Sequence, residues 1–136
     1  MAEPFKCEIV TPERSVFERE ATFVVIPGAA GEMGVYAKHA PTVTTLKPGC
    51  LKVVLEEGGE IRYAVSGGYA DVDGEKVIVL ANRATDLADE KAEDVRDKLS
   101  ELQGELSSLA EDDPNAIPLR TDIEWNELIQ HLLERA

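Results

Sequence analysis

Few side chains in this sequence have a type and spacing that could carry chemistry. Of its two histidines, His131 falls in a C-terminal apolar-periodic segment, so a general base would have to be His39 or one of the 27 carboxylates. His39 stands just before Pro41 in a stretch rich in Gly and Pro, a setting that suits a structural or interface imidazole better than a catalyst. Cys7 and Cys50 form no C-x-x-C pair and have no His at ligand spacing, so a zinc site is not supported and two reduced thiols are expected. Ser66-Gly67-Gly68 lacks the G-x-S-x-G setting of a nucleophile, and it lacks the Lys and following helix of a phosphate loop. Those glycines are expected to form a bulge or a close strand crossing. The acidic residues are scattered, as on solvated faces, and no cofactor, metal or catalytic residue is expected.

The informative stretch is Gly28 to Gly49, GAAGEMGVYAKHAPTVTTLKPG, where Gly28, Gly31, Gly34, Pro41, Pro48 and Gly49 fix many turns in few residues. A loop-rich sandwich explains the glycines. It does not explain Glu32 and Met33, an acid and an apolar residue expected to stand side by side at an exposed turn, as suits a mixed polar and apolar interface.

Up to about Ala84, short apolar runs separated by turn residues predict an all-β unit. Candidate strands are 6–10, 15–20, 23–26, 33–36, 43–46, 51–56, 61–66, 69–72 and 77–80. Glu57-Gly58-Gly59-Glu60 and Asp73-Gly74-Glu75 are hairpin turns. Alternation places Leu51, Val53, Leu55, Ile61, Tyr63 and Val65 on buried faces, which two packed sheets can bury and one open sheet cannot. The expected architecture is a β-sandwich of nine to ten short strands over residues 1–84, followed by a helical hairpin over 85–136.

From Thr85 the period becomes helical. Ala88, Ala92, Val95, Leu99, Leu102, Leu106 and Leu109 form one narrow seam, with Asp86, Asp89, Glu90, Glu93 and Asp94 crowding the first turns. Asp112-Asp113-Pro114-Asn115 ends this helix, and Thr121-Asp122-Ile123-Glu124 reads as the capping box of a second. The second helix carries Trp125, Leu128, Ile129, Leu132 and Leu133. So narrow a seam holds two helices weakly, and Gly104 weakens the first by about 1 kcal/mol, so the hairpin is expected to open or detach before the sandwich unfolds.

The 136 residues suit one main core plus an appendage, and the net charge of −13 disfavours nucleic acid and anionic lipid while suiting cationic protein surfaces. No window approaches the roughly 18–20 apolar residues of a spanning helix, and the N-terminus enters a strand pattern without a basic leader, so direct membrane insertion is not expected. A free-standing β-sandwich binding module with a helical tail remains the main competing reading. A metal-dependent β-barrel enzyme would need a His and carboxylate cluster that this sequence lacks.

Three blocks carry a family resemblance. GEMGVYAKHAPTVTTLKPG resembles the G-E-[IL]-G-[IV], H-x-P, L-x-P-G string of the epsilon subunits of rotary ATP synthases. SGGYADVDGEKVIVLA and IVTPERSVFE resemble two further blocks of that family in the right order. The resemblance implies a non-catalytic rotor subunit fixed to gamma and to the membrane c-ring. It implies a peripheral position on the cytoplasmic face of the bacterial cell membrane. It places Gly31, Glu32 and Met33 against the ring and His39 close to the gamma and ring contacts, although Ala37-Lys38 stand where the family often has Pro-Gly. It also implies a hairpin that folds down or extends toward the catalytic alpha/beta head, where the extended form blocks hydrolysis. The family's ATP-binding [IL]-D-x-x-R-A matches Leu87 to Ala92 with Ala88 for Asp and Lys91 for Arg, a degenerate nucleotide motif.

Overall fold

The structure is a computed structural model that describes residues 3–135. The chain divides after Asp86 into two compact units. The first is built from β1 (Phe5–Val10), β2 (Ser15–Gly28), β3 (Gly31–Val35), β4 (Thr42–Leu46), β5 (Gly49–Leu55), β6 (Glu60–Val65), β7 (Gly68–Val72), β8 (Lys76–Ala81) and β9 (Ala84–Asp86). This is the expected β-sandwich, but its strands are not all the expected ones.

Residues 15–20 and 23–26 belong to one strand. Ala21 pairs with Phe5 of β1 and also with Leu55 of β5, and the register slips between Ala21 and Phe23, leaving Thr22 as the extra residue. A bulge bends a strand and increases its twist. The first half of β2 therefore joins β1, β8, β7 and β4 in one layer, while its second half lies between β3 and β5 in the other, which continues to β6 and β9. The polar run Glu18-Arg19-Glu20 reads as a break because it sits at this corner, where no second layer covers it. Strand β9 pairs with β6 and was missed because three half-buried residues are too few to alternate visibly.

Cys7, Ile9, Val24, Ile26, Leu51, Val53, Val65 and Val79 are wholly buried between the layers. Each aliphatic side chain so buried is worth roughly 1.5–3 kcal/mol relative to exposure. Of the alternating set, Leu51, Val53, Leu55, Tyr63 and Val65 are buried, and Ile61 is half-buried against the same core. Burial pushes the Cys7 thiol up to about 12, which leaves it protonated and unreactive. The hairpin glycines take the positive φ their turns need, +101° and +87° at Gly58 and Gly59 and +91° at Gly74. At Gly68 a Cβ would stand 1.9 Å from the Leu80 carbonyl oxygen, so this glycine does mark a close strand crossing.

In the second unit, Leu87–Asp89 is a single 3-10 turn, followed by α1 (Ala92–Ser107) and α2 (Ala116–Glu134), packed as a hairpin. The seam is shorter than expected. Val95, Leu99 and Leu102 are buried, Leu106 and Leu109 are half-buried, and Ala88 and Ala92 are exposed. Only Glu93 and Asp94 lie in the first turn of α1, because helix proper starts at Ala92. Helix α2 starts ahead of the expected capping box. Pro118 is accommodated in its first turn, where backbone N–H groups have no helical partner. Thr121 is therefore interior, and its hydroxyl donates back to the Ile117 carbonyl at 3.1 Å.

Two glycine substitutions should separate the roles of these positions. An added Cβ at Gly104 meets nothing within 4 Å, so Gly104→Ala is expected to stabilise α1 by about 1 kcal/mol, read as slower amide exchange in the hairpin. Gly68→Ala, at φ +128° and in collision with backbone, should lower the sandwich Tm by several degrees. The opposite ranking would contradict both assignments.

Candidate functional site

The Gly28–Glu32 end of the sandwich is shaped by backbone contacts. Ala29 N–H donates to the Thr45 carbonyl at 2.9 Å and Lys47 N–H to the Pro27 carbonyl at 3.0 Å. A Cβ on Gly28 would lie 2.8 Å from the Gly31 carbonyl oxygen, and Gly31 has φ +136°. From this turn β3 runs as a regular strand, so consecutive side chains point to opposite faces. Glu32 is exposed on the outer face, whereas Met33 turns inward, half-buried against the core. The acid and the apolar residue are therefore not side by side. Further along, the Phe23 ring lies 3.0 Å from the position of a Gly34 Cβ and stacks on Tyr36 at a centroid distance of 4.5 Å.

His39 lies beyond the other end of β3, which spans roughly 13 Å from Gly31 to Val35. The structure thus separates Gly31, Glu32 and Met33 from His39. The histidine sits in a turn closed by its own N–H to the Tyr36 carbonyl at 3.3 Å. Its Nδ1 lies 2.8 Å from the Ala40 carbonyl, and because a carbonyl only accepts, Nδ1 carries the proton and Nε2 is left free. Lys38, before it, has φ +64°, the one positive φ outside glycine among the described residues. Its N–H donates to the Gly74 carbonyl at 2.7 Å, which ties this turn to the β7–β8 turn. There the Asp73 carboxylate accepts the N–H groups of Glu75 and Lys76, both at 3.0 Å, and those bonds hold its pKa below the usual carboxylate range.

On the hairpin side, Ala88 lies in the 3-10 turn and Lys91 is extended, with φ −117° and ψ 129°. The two positions do not share one turn of an α-helix. Both are exposed.

A surface that the motif search missed lies on the outer face of the β4, β7, β8 and β1 layer. Thr45, Tyr69, Leu80 and Val10 are successive cross-strand partners there, and Val43, Asp71, Ile78 and Glu8 form the next row. Val43, Tyr69 and Leu80 are 70%, 55% and 46% exposed. Beside them an open cavity of about 370 Å³ is walled by Val10, Pro12, Tyr69, Leu80 and Asn82. The signal was present in Val77-Ile78-Val79-Leu80, where apolar residues occupy both parities of one strand, the mark of a strand covered on both faces. Among the described residues no cluster of His, Cys, Asp or Glu has the arrangement of a metal site. Among those residues no helix is long and apolar enough to cross a membrane.

A closed sandwich core, exposed apolar side chains on the outer face of one of its layers and a separate helical hairpin suit a subunit of a larger assembly. Residues 4–86 match the family model described as the ATP synthase delta/epsilon chain, beta-sandwich domain. The chain is 42% identical over 112 residues to the ATP synthase epsilon chain of Mesorhizobium japonicum, covering 82% of this chain and 83% of that one. It is 40% identical over 124 residues to the epsilon chain of Fuscovulum blasticum, covering 91% and 94%. Among solved structures it resembles a chain of the Euglena gracilis mitochondrial ATP synthase (OSCP/F1/c-ring, rotational state 1), with a TM-score of 0.71, 27% identity, and coverage of 97% of this chain and 80% of that one. The chain belongs to the ATP synthase delta/epsilon family, whose members are non-catalytic subunits of that complex.

The Asp73 bonds predict a pH effect with a definite sign. A carboxyl whose pKa is lowered by folding contributes stability above its unfolded pKa and loses it as pH falls through the lowered folded value. Asp73→Ala should therefore reduce Tm at neutral pH, and the gap from the parent should close as the solution is acidified below the ordinary carboxylate range. A gap that stays constant from neutral to strongly acidic pH would show that the carboxylate does not hold this turn.

Proposed function

We propose that this chain is the epsilon subunit in the central stalk of a bacterial proton-translocating ATP synthase, a rotor component that couples gamma to the c-ring. The observation that carries the reading, together with family membership, is the uncovered apolar face bearing Val43, Tyr69 and Leu80 on a sandwich whose own core is already closed. Such a face suits permanent cover by a protein partner, and gamma is the partner assigned to it. The opposite location of the two motif segments supports separate contacts. Gly31 and Glu32 meet the polar loops of the ring, with Met33 bracing the strand from the core side, and His39 meets gamma through its free Nε2. The sandwich is the assembling domain and residues from about 85 onward the regulatory arm, which reaches the catalytic head when extended and restrains hydrolysis. The subunit is peripheral, on the cytoplasmic face of the cell membrane.

Rebinding to enzyme depleted of its epsilon subunit tests the reading. Tyr69→Ala should weaken rebinding by about tenfold or more, as truncation of a buried aromatic anchor does. Glu32→Lys should weaken association with isolated ring while changing sandwich stability by less than about 0.5 kcal/mol. Failure of the parent chain to rebind, or Tyr69→Ala behaving as the parent, would refute this assignment.

Nucleotide binding through the hairpin is not part of the proposed regulation. The Ala88 side chain offers no hydrogen-bond acceptor, Lys91 lacks the planar fork of Arg, and neither residue stands in an α-helix. Two lost charge-assisted bonds at about 1.5–3 kcal/mol each lower affinity by a hundredfold or more. Titration of the full chain with ATP and magnesium should show no micromolar binding. Micromolar binding abolished by Lys91→Ala would show that the degenerate motif works.

A further inference from the structure

Beside Tyr69 and Leu80, the outer face of the β4, β7, β8 and β1 layer ends in an open cavity of about 370 Å³. Two backbone arrangements flank it. On one side, Thr11 N–H donates to the Arg14 carbonyl at 2.9 Å and Arg14 N–H to the Thr11 carbonyl at 3.2 Å, and the Thr11 hydroxyl adds a bond to the Arg14 carbonyl. On the other, Asn82 N–H donates to the Gly67 carbonyl at 3.0 Å, beside the Gly68 crossing that admits no Cβ. Gly68 and Ala81 also line the cavity, and neither has a side chain long enough to fill it.

The lining decides what can enter. Val10, Pro12, Tyr69 and Leu80 supply apolar walls, and the Thr11 hydroxyl is already spent on its own turn. A soluble metabolite needs several convergent polar groups to orient it, and this cavity does not offer them. An apolar side chain needs none. The cavity continues the row of Thr45, Tyr69, Leu80 and Val10, so a partner lying along that row reaches it without a gap. One row away, about 7 Å along β1, Glu8 stands directly opposite Glu18. Like charges so placed repel, and Lys6 pairs with Glu18 at 2.8 Å while Glu8 accepts the Ser15 hydroxyl at 2.9 Å. A basic partner relieves that repulsion. Two copies of this chain meeting by this face would instead set the carboxylates against each other, each copy carrying a net charge of −13.

We infer that this cavity is the anchor of the gamma contact: one large apolar side chain of gamma seats in it, and a Lys or Arg of gamma lies one row away on Glu8. The inference rests on the docking of gamma to this face proposed above, and it names the place where a single side chain carries most of the affinity. The remaining apolar row covers the anchor and keeps water from it.

Filling the cavity tells an anchor from general apolar cover, because the two respond with opposite sign. Asn82→Trp and Val10→Phe add apolar surface from two different walls and keep the backbone bonds on both sides. Rebinding of each full-length variant to epsilon-depleted enzyme should weaken about tenfold or more, with Tm within a few degrees of the parent. Parent-like or tighter rebinding of both variants overturns the inference and leaves the rotor reading standing. Glu8→Gln should weaken rebinding about threefold at low salt and leave it unchanged at high salt. Rebinding of Glu8→Gln that equals the parent at low salt overturns the basic flank. Self-association of the free chain that Asn82→Trp abolishes would give the cavity to a second copy and overturn gamma as its occupant. If the parent chain itself fails to rebind, the rotor reading falls and takes the inference with it.

Discussion

Strand β2 belongs to two layers at once, and the bend that permits this is the constraint from which the sandwich follows. Ala21 sits at the corner, wholly buried, paired with Phe5 on one side and Leu55 on the other. A larger side chain there would have to occupy space that the two layers share. The unpaired Thr22 supplies the extra residue that turns the strand. With the corner set, β1 and β8 pair in parallel beside the first half of β2, and β3 and β5 flank the second half. The Gly28–Gly31 turn is then delivered to the end of the sandwich where Gly28 meets Leu46. Motif position and strand bend are thus one problem: Glu32 pairs with Pro27 in the half of β2 that follows the bend at Thr22.

This dependence explains what could be read from the sequence. Alternation in β5 and β6 reports the local environment of single residues, so Leu51, Val53, Tyr63 and Val65 were legible as core. The turns at Gly58-Gly59 and Gly74 were legible because positive φ has a strong residue preference. Whether 15–20 and 23–26 are one strand or two depends on which strands lie beside them, and no local pattern reports that. The same holds at the site. Glycine spacing located the β3 segment but not its parity, so Met33 was expected outside although it faces the core. Thr121 to Glu124 has the composition of a helix start, yet Asp113 and Pro118 upstream already provide one, the Asp113 carboxylate accepting the Asn115 N–H at 2.9 Å. A capping box is only a cap if no earlier start competes.

The outer face of β4, β7 and β8 shows how a surface can be specified by what the core does not need. Val77 and Val79 close the interior, so Ile78 and Leu80 add nothing to it, and the same division separates Ala70 and Val72 from Tyr69. In an isolated domain polar residues at the outward positions would be better solvated and would guard against association. Their replacement by Val43, Tyr69 and Leu80 makes sense when the face is buried for the lifetime of an assembly. Asp71 and Glu8 stand in the next cross-strand row of the same face, so the patch is mixed and not wholly apolar.

The hairpin follows the opposite logic. Its α1 contributes three buried side chains, Val95, Leu99 and Leu102, and beyond Gly104 the seam fades to half-buried leucines. Ser107 and Ser108 turn their hydroxyls onto the Gly104 and Glu105 carbonyls, offering the last turn an alternative to continued helix. No basic residue stands in that last turn, and Glu111, Asp112 and Asp113 follow it, placing negative charge where the helix dipole is already negative. Helix α2 supplies Ala116, Ile123, Trp125, Ile129 and Leu132, and a unit of this size is still only modestly stable on its own. Modest stability favours the change of conformation proposed above for this arm. Moving a two-state element from one extreme of population to the other takes about 5.5 kcal/mol of differential binding, and a more firmly packed hairpin would demand more than a few surface contacts deliver. The sandwich strands, by contrast, close around a continuous apolar core.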